Sequence, residues 1–223
     1  SSAVPKHRTD GRIVKNLLLA TLSEAEFATL RPFLKSVELR RKEEIQQQGK
    51  PAESVYFIES GIVSRVVQTP SNGPMETAMV GCYGLIGASV VLGLDLTLQR
   101  AIVQLPGRAL RISANDLSRA MQENPSVREH LLQYISILLM MKAQISLCNA
   151  KHDTIQRTAR WLQCARDRLD TNRLMLTQGA LASILGVQRT SVATALKRLE
   201  SLGLVQHQER GFLSITTPDG LKQ

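Results

Sequence analysis

The chain has 223 residues, of which 43% are hydrophobic, and a formal charge of +9 at neutral pH. That supplies a packed core for one large or two ordinary domains, and the basic balance favours phosphate-bearing partners. Aromatic residues make up only 4%, which argues against capture of single strands by base stacking. Three separated cysteines, Cys82, Cys148 and Cys164, exclude a zinc or iron–sulfur ladder and suit a reducing cytoplasm.

Residues 1–12 are polar, basic and loose, with no secretory signal. Ser23-Glu-Ala-Glu26 has the spacing of a capping box, serine at the N-cap and glutamate three residues on, and opens a helix that turns Phe27, Leu30 and Leu34 inward. From Val37 to about Ile112 the texture is short β-branched runs separated by turns. Val55-Tyr-Phe-Ile58, Ile62-Val-Ser-Arg-Val-Val67, Glu76-Thr-Ala-Met-Val80, Ala101-Ile-Val-Gln-Leu105 and Arg108-Ala-Leu-Arg-Ile112 read as strands, with a turn at Pro70-Ser-Asn-Gly73. Many short strands with glycine turns predict a sandwich or barrel.

Residues 113–123 return to helix. Asn124-Pro125 starts a longer one, proline being suited to a first turn. Leu131, Leu138 and Ile145 fall seven apart, with Ile135 and Met141 between them, and such a stripe predicts a partner helix. A helix lying on its own domain's sheet is the alternative. Leu132, Leu139 and Met140 widen the apolar surface, so one face can cover the strands while another meets a second subunit. Gln133, Lys142 and Gln144 interrupt the run, and it is shorter than the ~20 residues a membrane span needs. The helix ends near His152, and a new helix over 154–168 buries Ile155, Ala159, Trp161 and Leu162.

The most informative stretch is Leu176 to Val205. Leu181, Ile184 and Leu185 form one apolar face of a short helix, and Gly186 stops it. A second helix, about residues 189–201, turns Val192, Ala195, Leu196 and Leu199 inward and ends at Gly203. Its other face carries Arg189, Thr190, Ser191, Thr194, Lys197 and Arg198, with no acid among them. A short helix docking a second one with a basic, hydroxyl-rich face is the geometry that reads a major groove. Leu204-Val-Gln-His-Gln, Glu209-Arg-Gly211 and Phe212-Leu-Ser-Ile-Thr216 add a β-hairpin, so the unit reads as a winged helix. A helical hairpin that only packs a core would not explain the missing acids.

This order of parts resembles the cyclic-AMP receptor / fumarate-nitrate regulator (Crp/Fnr) superfamily of bacterial transcription regulators. The pieces that carry the resemblance are Gly49-Lys-Pro-Ala-Glu-Ser-Val-Tyr-Phe-Ile-Glu-Ser-Gly61, Gly84-Leu-Ile-Gly87, Leu110-Arg-Ile112 and the run from Leu176 to Leu199. It implies an α+β chain: a sensor β-roll with an N-terminal helix over 1–123, a dimerisation helix and hinge over 124–152, and a winged helix-turn-helix over 153–223. It also implies a homodimer on a two-fold DNA site, with Arg189 as first reading arginine and Thr177 and Gln178 near the phosphate backbone. An arginine fork can bond guanine O6 and N7 together. Thr190 stands where the family commonly has a glutamate that accepts from cytosine. The family's nucleotide cassette has Gly-Glu-Leu and then an Arg-Ser/Thr-Ala. Here Gly87-Ala88-Ser89 lacks the ribose-binding carboxylate, and Arg100 precedes Ala101 one position out of register, so cyclic AMP is not the expected effector. The apolar residues from Leu85 to Leu94 form a different pocket or a filled core, packing being the commoner use.

No basic neighbour in sequence activates Cys82 as a redox sensor, and His130, His152 and His207 do not make a haem or metal site. No catalytic arrangement, cofactor or metal site is evident. The expectation is a cytoplasmic, sequence-specific regulator of double-stranded DNA, homodimeric, with RNA polymerase as a possible further partner and no membrane contact. The alternative is a redox- or ligand-responsive sensor module whose winged helix docks a protein.

Overall fold

The computed structural model describes residues 7–69, 73–169, 172–208 and 212–217. It forms two compact units, residues 1–66 with 78–141, and residues 67–77 with 142–223.

The first unit starts with the two-residue strands β1 (Arg8–Thr9) and β2 (Arg12–Ile13), then α1 (Leu17–Ala20) and α2 (Glu24–Leu30). The predicted capping box is present: the Glu26 amide donates to Ser23 Oγ at 3.3 Å, and the Ser23 amide donates to Glu26 Oε2 at 2.7 Å. Strands β3 (Lys35–Leu39), β4 (Glu44–Gln46), β5 (Ser54–Thr69), β6 (Gly73–Val80), β7 (Leu85–Ile86) and β8 (Arg100–Ser113) make one sheet. Its order is β3-β8-β5-β6, with β4 on β8 and β7 on β5. The short helix α3 (Ala88–Val91) follows β7, while α4 (Ala114–Glu123) and α5 (Pro125–Lys151) follow β8.

Alternation along the strands splits the core in two. Val55, Phe57, Leu85, Leu110 and Ile112 pack on the helices, against Leu19, Phe27, Leu117, Val127, Leu131 and Ile135. Leu39, Ile58, Val63, Val80, Ile86, Ala101, Val103 and Ala109 fill the other face. Both faces of the sheet thus carry buried apolar side chains. One close approach ties α5 to the sheet: a Cβ on Gly84 would lie 2.3 Å from the Tyr134 hydroxyl, which accepts a hydrogen bond from the Leu85 amide at 3.2 Å.

The second unit holds α6 (Thr154–Leu169), β9 (Arg173–Met175), α7 (Gln178–Leu185), α8 (Arg189–Ser201), β10 (Val205–Gln208) and β11 (Phe212–Ile215). Trp161 and Leu162 of α6, Leu181 of α7, and Val192, Ala195, Leu196 and Leu199 of α8 are buried. The wing pairs Val205 with Ile215 and Gln208 with Phe212, and β9, a strand the sequence pattern did not reveal, adds to β11. Within this unit the Trp161 indole donates to Glu76 Oε1 at 3.3 Å. The predicted turns at Pro70-Ser-Asn-Gly73 and Glu209-Arg-Gly211 lie largely outside the described residues.

Candidate nucleic-acid interface

Helix α7 ends where glycine is required: Gly186 has φ +63°, a left-handed conformation that a side chain disfavours. The Val187 amide returns to the Ala182 carbonyl at 3.1 Å, and Gln188 turns the chain into α8 in extended conformation. At the far end Gly203 has φ +68° and its amide bonds the Glu200 carbonyl at 2.9 Å. Helix α8 is therefore fixed at both ends and by its apolar face.

Its outward face carries Arg189, Thr190, Thr194, Lys197 and Arg198, all exposed, with Ser191 partly exposed. Among the described residues none of these three cations forms an ion pair. The Thr194 hydroxyl donates to the Thr190 carbonyl at 3.1 Å, so it stays against its own helix. Thr177 is exposed, its carbonyl accepting from the Leu181 amide at 3.0 Å, and Gln178 is the first residue of α7. The predicted reading and phosphate residues thus lie on α8 and at the start of α7.

Arg100 is held by Glu44, with Nε to Oε1 at 2.7 Å and Nη2 to Oε2 at 3.1 Å. Those bonds push the guanidinium's pKa above its usual value, against partial desolvation. Ala88 opens α3 and is buried. Arg65, which the sequence pattern did not single out, is paired across the sheet with Ala101; burial lowers its pKa, partly offset by Tyr134.

On α5, Leu131 and Ile135 are 0% and 7% exposed and belong to the core of their own unit. They have no area left for a partner helix. Leu138 is partly exposed, while Ile137, Leu139 and Met140 are 55%, 64% and 73% exposed. The apolar face of α5 left open is thus rotated from the stripe expected. The side chains of Met141 and Ile145 lie outside the described residues. Of the cysteines, Cys82 and Cys164 are partly buried. Among the described residues no helix is long and apolar enough to cross a membrane, and no cluster of histidine, cysteine and carboxylate could hold a metal.

Two family models match the sequence: a cyclic nucleotide-binding domain over residues 36–124 and a Crp-like helix-turn-helix domain over residues 156–223. No curated protein matches it. Among solved structures, FixK2 from Bradyrhizobium japonicum is similar with a TM-score of 0.72 at 19% identity, over 85% of this chain and 96% of that one. The c-di-GMP-responsive global regulator CLP of Xanthomonas campestris gives 0.70 at 16%, over 87% and 100%. A CRP-family transcriptional regulator from Thermus thermophilus, TTHB099, gives 0.69 at 17%, over 83% and 94%. At these identities the structural likeness carries the fold.

Proposed function

We propose that this chain, which belongs to the Crp/Fnr superfamily of transcription regulators, acts as a homodimer that reads a two-fold DNA site with α8 in the major groove. The observation that carries the reading is the face of α8: three cations without ion pairs among the described residues, interleaved with hydroxyls, on a helix fixed at both ends. A face that only packed protein would not leave Arg189, Lys197 and Arg198 all exposed with Glu200 the single acid of the helix. Arg189 reads a guanine, and Lys197 and Arg198 neutralise phosphates. Thr177 and Gln178 contact the backbone beside them. The second copy packs on the open side of α5, against Ile137, Leu138 and Met140.

Cyclic AMP is not the effector in this reading. Ala88 supplies no acceptor for a ribose hydroxyl, and Arg100 is engaged by a carboxylate at 2.7 Å. A phosphate buried without its cation is costly. Selection of bound sequences from a random DNA pool, by the purified chain and by Arg189→Ala, tests the DNA reading. A consensus that relaxes at one position per half-site is the expected outcome, and an identical consensus from both proteins contradicts it.

A further inference from the structure

We propose that Arg157 is the positioning residue of the recognition helix: its guanidinium grips the end of α7 and thereby fixes the turn that sets the angle of α8. This rests on the reading of α8 as the helix that enters DNA. Arg157 lies in the first turn of α6, whose start is locked by a capping box between Asp153 and Gln156, three residues on. The Gln156 amide donates to Asp153 Oδ1 at 2.8 Å, and the Asp153 amide donates to Gln156 Oε1 at 3.1 Å. From there Arg157 Nη2 donates to the carbonyl of Leu185, the last residue of α7, at 2.5 Å.

Three features make this contact more than packing. The last carbonyls of a helix have no partner inside it and carry the negative end of its dipole, so a cation there gains both a charge-assisted bond and a favourable field. The next residue, Gly186, sits at φ +63°, and only Val187 and Gln188 separate it from Arg189. The turn is short and tied back by the Val187 amide on the Ala182 carbonyl at 3.1 Å, so a tilt at Leu185 passes into α8. Finally, Arg157 is half-buried, and its Nε is buried with no partner among the described residues, so the guanidinium is turned toward α7 with Nη2 on the Leu185 carbonyl. Arg157 therefore links the start of α6 to the turn before the reading helix, and acts on DNA only through α8.

The test uses the full chain with Arg157→Met and Arg157→Lys, beside Arg189→Ala, in fluorescence anisotropy on the selected site, on single-base-pair variants of it and on random DNA, at several salt concentrations. Arg157→Met is expected to lower the ratio of specific to random binding about tenfold, the scale of one charge-assisted hydrogen bond. Affinity for random DNA and the salt slope should stay as in the parent, and Arg157→Lys should restore most of the ratio. A salt slope reduced by about one phosphate contact would make Arg157 a direct DNA ligand and overturn the proposal. A lower melting temperature with an unchanged ratio would reduce it to a stabilising residue and overturn it too. If Arg189→Ala also leaves every ratio unchanged, it is the assignment of α8 that fails.

Discussion

Replacing Ile137 and Met140 together by glutamate should convert the protein to monomers without unfolding the sensor unit. The two side chains are 55% and 73% exposed in the single chain. Full burial of such a side chain contributes about 1.5–3 kcal/mol. Scaled by the area still open, the two residues contribute roughly 2–4 kcal/mol per protomer, and about 4–8 kcal/mol over both copies. That corresponds to about three to six tenfold steps in the dimer dissociation constant, before the added cost of burying carboxylates at a two-fold axis. Sedimentation velocity at low micromolar concentration reads the outcome. The control is Ile135→Ala, two residues away and 7% exposed. It should lower stability by about 2–5 kcal/mol, as core truncations do, and leave the oligomeric state alone. A double glutamate variant that sediments as a dimer, or an Ile135→Ala protein that becomes monomeric while folded, would refute the assignment of the two faces of α5.

Arg189→Ala should cost about 1–3 kcal/mol on the selected site and relax one base position, whereas Lys197→Ala should weaken all sequences alike and flatten the salt dependence by about one unit; binding curves on matched and scrambled duplexes separate the two. Calorimetry with cyclic AMP at millimolar concentration should show no saturable heat, and saturation in the micromolar range would contradict the reading of Ala88 and Arg100. Burial acts to raise the pKa of Glu26, but hydrogen bonds from Ser126 and Ser23 and the charge of His130 outweigh it and hold the carboxyl below its usual 4.5. A depressed carboxyl stabilises fully above its unfolded value and loses that contribution as the pH falls through the native one. Glu26→Gln should therefore flatten the fall in melting temperature on acidification below about pH 4.5, and an unchanged acid limb would count against this linkage. A Cβ on Gly107 would lie 2.1 Å from the Ser60 carbonyl oxygen, so Gly107→Ala should cost at least about 1–3 kcal/mol by overpacking, read as a lowered melting temperature; an unchanged one would show that the strands can part.

Much of the fold is local in origin and was legible for that reason. The capping box at Ser23 and Glu26, the inward set Val192, Ala195, Leu196 and Leu199, and the left-handed glycines 186 and 203 each follow from residue chemistry within one turn. The basic, hydroxyl-rich face of α8 was visible in the same way, because Arg189, Lys197 and Arg198 against a single acid, Glu200, need no tertiary information. What escaped the sequence depends on partners distant along the chain. Strand β9 has three residues and is defined only by its pairing with β11. A seven-residue stripe on α5 looks the same whether it meets a sheet or a second helix, and Leu131 and Ile135 meet their own core. Arg157 carries no local signal of its role, since Leu185 lies 28 residues away. Arg100 looked merely displaced, whereas cross-strand pairing of β4 with β8 brings Glu44 against it.

The central claim is that the chain binds double-stranded DNA in a sequence-specific, two-fold manner through α8. Footprinting of the purified protein on its selected site, with no small molecule added, tests it most directly. Two protected half-sites with centres about 34 Å apart, one helical turn or a multiple of it, requiring about 10- to 100-fold more protein for Arg189→Ala, are what the account predicts. Protection without two-fold symmetry, or a footprint that Arg189→Ala leaves intact, would contradict it.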